Sequence, residues 1–256
     1  MEPILYITAL IGVLAVFFYL LMPLVVYNNA ELHVAGGIHE MQLFEIDGQD
    51  RGYMERMTRG MEPIGFLPVG DIHTKGMNKD ALMVMRLFVN PKTQTLAIAN
   101  SVHVLTASAN GEVKRYVEFS TDFDDGTQFN TSRMIDGATA DNGATKKTLI
   151  LKNLDDPARL YRYHEFWMAE QALNGTRTPI PVDKTPKAIL IHEMERELRR
   201  KADRGLWREP SPSVFKLSLR GAYLMTWAQL PPVKQIREAS IYRDGQSLMQ
   251  RSDRRA

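Results

Sequence analysis

The chain has 256 residues, and its 32 Lys and Arg nearly balance 30 Asp and Glu, for a formal net charge of +2. That balance gives no electrostatic ground for a nucleic-acid partner. Cysteine is absent, which excludes disulfides, thiolate metal sites and a cysteine nucleophile.

The first element is the strongest. Pro3 to Tyr27 reads PILYITALIGVLAVFFYLLMPLVVY, 25 residues without a charge. At a rise of about 1.5 Å per residue, Tyr6 to Tyr27 covers roughly 31 Å, close to the ~30 Å hydrocarbon core of a bilayer. The two tyrosines then fall at the two interfaces, where aromatic belts form. Pro23 lies in the last turns, where a lost backbone bond costs least. A cleaved signal peptide fits less well. Only Met1 and Glu2 precede the run, it is too long for a signal core, and no A-x-A site follows. Residues 1–30 therefore read as a single-pass transmembrane anchor. All 32 basic residues follow it, the first being Arg51, which leans toward a cytoplasmic body. The acids Glu31, Glu40, Glu45, Asp47 and Asp50 weigh little in that rule.

Residues 31–62 read as a juxtamembrane connector ending in a short helix from Gln49 to Gly60, with Tyr53, Met54, Met57 and Met61 on one face. A methionine stripe can mark an adaptable binding groove, but core packing is the commoner use. From 63 to 155 the period changes to that of an antiparallel sheet. Gly65–Val69 reads as a first extended piece, confined by Pro68 to an edge or a sheet entry. Residues 81–89 are apolar on both faces and predict a central strand, covered twice. Residues 95–104 and 113–123 alternate, with turn signals at Asn90-Pro91 and Asn110-Gly111. Asp125-Gly126 predicts a tight hairpin into 127–132, a polar loop at 137–143 follows, and 147–154 closes the series. Strands joined by short turns without intervening helices imply a meander of five or six strands.

Residues 156–256 read as the helical part. Asp156-Pro157 and Thr185-Pro186 are two helix starts, and the helices run to about Leu173 and Gly205. The segment 213–233 holds a short apolar run, GAYLMTWAQLPPV, and a basic tail follows it. This is either an interfacial segment, with Tyr223, Trp227, Lys234 and Arg237 at the lipid, or a helix docked on the sheet.

The search for chemistry is mostly negative. A zinc-protease helix needs a second histidine four residues after the first. Past His39, His164 and His192 that position holds Leu43, Met168 and Arg196. Asp122-Phe-Asp-Asp-Gly126 resembles a calcium loop, but its glycine falls one place early. No nucleophile elbow, phosphate loop or dinucleotide fingerprint occurs. No cofactor or metal is expected. The remaining catalytic candidates are His164 with Asp71 or Asp122, which would need the fold to bring them together. The overall expectation is an α+β protein: a single transmembrane helix, an antiparallel meander, and C-terminal helices packed on it. Its function would be that of a membrane-tethered accessory domain, with the lipid bilayer and a membrane-protein complex as partners. The alternatives are a membrane-anchored hydrolase built on His164 and an apolar-ligand carrier.

Overall fold

The computed structural model describes residues 6–7, 10, 12–14, 16–34, 36–78, 81–105, 111–134, 145–171, 175–180 and 184–255. The polar loop at 137–143, Asn110 of one turn signal and residues 3–5 of the apolar run lie outside the described residues. The chain forms two compact units, Met1–Ala35 with Ile191–Arg237 and Gly36–Leu190 with Glu238–Ala256.

The larger unit is built on seven strands: β2 (Ile38–Met41), β3 (Leu67–Asn78), β4 (Ala81–Asn90), β5 (Thr95–Val104), β6 (Val113–Asp122), β7 (Gln128–Ser132) and β8 (Lys146–Ile150). They lie side by side in that order. Neighbours from β2 to β7 are antiparallel, whereas β7 and β8 run parallel. The sheet is therefore mixed and seven-stranded, not an antiparallel meander of five or six. The additional strand is β2, four residues inside the stretch read as connector. It is too short to show a period and is held by β3 alone. The pairing of β2 covers only Asp71–Thr74, so Pro68 lies past its end, where no donor is required on that side.

One sheet face carries the main core. Phe88 on β4 is opposite Ala97 on β5, which is opposite Phe119 on β6, a large–small–large row. Ala97 leaves room on this face for two helices, α2 (Gly48–Met61) and α3 (Pro157–Glu170), which share its core. Met54 and Met61 of α2 are fully buried there, so the methionine stripe is core. Phe66, Phe119 and Tyr161 form an aromatic cluster with ring centroids 4.9–5.4 Å apart. On the opposite face Leu87, Val89 and Leu96 are buried too, as a doubly covered centre requires.

The smaller unit holds the apolar helix, the one helix among the described residues long and apolar enough to cross a membrane, Gly12–Asn29. Its stretch Phe17–Leu21 is π-wound, and Met22–Asn29 (α1) is α-helical. β1 (Glu31–His33), β9 (Trp207–Ser211) and β10 (Val214–Leu217) make an antiparallel sheet in the order β1-β10-β9. Phe215 and Val34 pack with Leu198 of α4 (Pro186–Asp203). Next comes α5 (Leu219–Gln229), capped by Ser218, whose hydroxyl accepts from Gly221 N at 2.9 Å. The last helix, α6, spans Val233–Asp253.

Two helical glycines should respond oppositely to alanine. A Cβ at Gly245 of α6 would sit 2.2 Å from the Ile150 carbonyl oxygen, whereas at Gly52 of α2 the nearest atom is the end of Arg56, 3.7 Å away. Gly52→Ala should therefore stabilise by up to about 1 kcal/mol through helix propensity. Gly245→Ala should destabilise by about 1–3 kcal/mol, because the clash with backbone outweighs the same gain. Chemical denaturation of both variants checks the sign of each.

Candidate functional site

His164 is fixed by its helix. The Asp156 carboxylate accepts from Ala158 N at 2.9 Å and Pro157 occupies the first turn, so α3 starts there and turns His164 toward β6 and β7. The ring is fully buried. Its Nε2 is 3.0 Å from Thr121 Oγ1 and its Nδ1 is 2.8 Å from Thr131 Oγ1. Hydroxyls both donate and accept, so two threonines satisfy a neutral imidazole completely. Burial, with the charge of Arg177, pushes its pKa down to about 3.

The two aspartates expected beside it lie elsewhere. Asp71 on β3 accepts a bidentate pair from Arg86 on β4, both bonds 2.7 Å, and Arg86 also donates to Thr58 of α2 at 2.8 Å. Arg86 is opposite Ala99 of β5 and Thr121 is opposite Thr95, four residues along that strand, or roughly 13 Å. Asp122 directly follows Thr121, so it points to the sheet face opposite His164. His164, Asp71 and Asp122 thus stand in three separate environments, and both ring nitrogens of His164 are engaged by hydroxyls.

A second polar centre, on Asp50, left little trace in the sequence. Asp50, in the first turn of α2, is 1% exposed. Its Oδ1 accepts from Ser101 Oγ at 2.7 Å and Arg115 Nη2 at 3.0 Å, and its Oδ2 lies 2.6 Å from His103 Nε2. Burial raises the carboxyl pKa, but the bonds from Ser101, His103 and Arg115 outweigh it, and the net shift is downward. Ser101 and His103 are two residues apart on one strand and so share a face; that spacing was the only sequence signal. Serine and histidine both bind the carboxylate here and no bond joins them, so this is an ionic anchor and not a nucleophile–base pair.

The expected lipid-facing residues of the smaller unit are placed as follows. Tyr6 is 72% exposed and Lys234 is exposed. Arg237 and Tyr27 are half-buried, and Arg208 lies over the Tyr27 ring at 5.6 Å. Tyr223 and Trp227 turn toward the apolar helix. Pro23 has no N–H, so the carbonyl of Tyr19, four residues before it, lacks its helical donor. Trp227 Nε1 donates to that carbonyl at 2.8 Å, and Tyr223 Oη donates to the next one, Leu20, at 3.0 Å. Both carbonyls belong to the π-wound stretch Phe17–Leu21.

Comparison with protein-family models, with curated proteins and with solved structures returns no match.

The buried His164 sets an acid dependence. Its folded pKa lies below the unfolded value of 6.5, so the unfolded chain takes up a proton first. Stability from this group is full above pH 6.5 and declines as pH falls toward 3, by at most about 1.4 kcal/mol per pH unit. His164→Gln keeps one hydrogen bond and removes the titration. It should flatten that part of the curve of unfolding free energy against pH, as denaturant midpoints between pH 4 and pH 7 will show.

Proposed function

We propose that this protein is a membrane-tethered accessory domain without intrinsic catalysis. Its N-terminal helix holds a folded body at the bilayer, on the cytoplasmic side, where the body binds a membrane-protein partner. One observation carries the reading. The helix Gly12–Asn29 is only 6% buried. Val13, Phe17, Phe18, Leu20, Leu24 and Val25 are exposed around it. An apolar surface of that size in water far exceeds the patches that monomers tolerate, and lipid is the solvent that accepts it. Leu224 and Met225 of α5 are exposed as well, in keeping with an interfacial role for that segment.

The absence of converging chemistry at His164 supports the non-catalytic side of the reading. Its ring is neutral, sealed and matched by hydroxyls, whereas a general base has to reach a substrate proton.

Because the chain has no cysteine, single introduced cysteines report topology directly. The protein should stay with the membrane pellet through alkaline carbonate extraction. Glu2→Cys should react with an impermeant maleimide on intact cells, and Asp253→Cys only after permeabilisation. Recovery of the full chain in the soluble fraction would sink the tether, and labelling at Asp253→Cys without permeabilisation would reverse the side.

A further inference from the structure

We propose that the cleft between α2 and β6, lined by Tyr53, Arg56, Arg115 and Arg133, binds a phosphate monoester. The cavity measures about 300 Å³. Tyr53 is 6% exposed, and its hydroxyl makes no hydrogen bond within the described residues. Nε of Arg115 and Nε of Arg133 are buried and equally unpartnered. Most buried polar atoms in proteins are matched. The three residues that carry these donors line one cavity together with Asp155, and none of the three donors has an acceptor within the described residues.

The neighbouring acids do not fill that role. Asp50 is committed to Arg115 Nη2, Ser101 and His103. Asp155 pairs with another nitrogen of Arg133 and is itself 77% exposed. Arg133 also donates to the backbone carbonyl of Arg115, which ties its guanidinium to β6. Arg56 reaches the cleft from its exposed side. Burial pushes the Tyr53 hydroxyl pKa up despite the charges of Arg133, Arg115 and Arg56, so the phenol remains a donor.

Three guanidiniums and a phenol offer more donors than the two oxygens of a carboxylate accept. A phosphate monoester brings three terminal oxygens and close to two negative charges, and forked guanidinium donors suit it. Met57 and Leu160 give the cleft an apolar wall for the organic part of the ester. The phosphate can belong to a soluble compound or to a lipid headgroup.

The test uses the full chain in detergent. Inorganic phosphate and dihexanoyl phosphatidic acid are titrated by calorimetry, with chloride at matched ionic strength and dihexanoyl phosphatidylcholine as controls. At least one of the two phosphates should bind saturably. Arg56→Ala and Tyr53→Phe should each weaken binding about tenfold, as expected for loss of a hydrogen bond to a charged group. Binding of both probes identifies a soluble source; binding of the phosphatidic acid alone identifies a headgroup. Saturation by neither probe beyond the controls, or unchanged affinity in both variants, would overturn the site. Without ligand, Tyr53→Phe should unfold at the same temperature or higher, since the hydroxyl it removes has no partner. A lowered unfolding temperature would show that the hydroxyl is already satisfied, and would overturn the site as well.

Discussion

A carboxylate taken out of water must be met by donors, because an unpaired buried charge costs several kcal/mol. Asp50 is such a group, and much of the larger unit depends on how it is met. It sits in the first turn of α2, where the helix dipole favours negative charge. Its side chain reaches Ser101 and His103 on β5 and Arg115 on β6. One residue thereby joins a helix to two strands. With that end of α2 pinned, Met54 and Met61 fall in the core that holds Phe88, Ala97 and Phe119, and Tyr53 falls over the Arg115 guanidinium. Arg86 repeats the device further along the helix, joining Asp71 on β3 to Thr58 of α2. Two ionic anchors set the placement of this helix, and the apolar face between them supplies most of the burial.

What could be read in the chain beforehand was whatever neighbouring residues encode. The strands around 81–89, 95–104 and 113–123 follow their apolar pattern and their turns, and Asp156-Pro157 starts α3 as its chemistry requires. Pairings between distant segments could not be read. β1 aligns Glu31 with Lys216 across most of the chain, and no local period announces such a partner. The parallel step from β7 to β8 was hidden for a related reason: residues 128–132 and 146–150 are equally extended in either direction. The polar sites divide in the same way. The face of His164 follows from helical spacing, but its partners Thr121 and Thr131 come from two different strands. Asp50 looked like one of five acids after the apolar run, since sequence cannot tell a solvated carboxylate from a buried one.

In the smaller unit a single residue has the widest consequence. Pro23 removes one donor from the apolar helix and leaves the Tyr19 carbonyl without its helical bond. In water that carbonyl would be solvated; in an apolar surrounding it needs a donor from the protein. Trp227 supplies it and Tyr223 serves the next carbonyl, so the proline and the two aromatic residues of α5 act as one feature although some 200 residues separate them. The feature bears on the proposed tether. A helix whose broken bond is repaired by its own chain can lie in a lipid environment at a lower cost than one that leaves the carbonyl bare. The aromatic residues of α5 thus have a reason to be where they are in the two bonds they make to the apolar helix. Their polar atoms face the helix they repair, while Leu224 and Met225 on the same short helix stay exposed to whatever surrounds it.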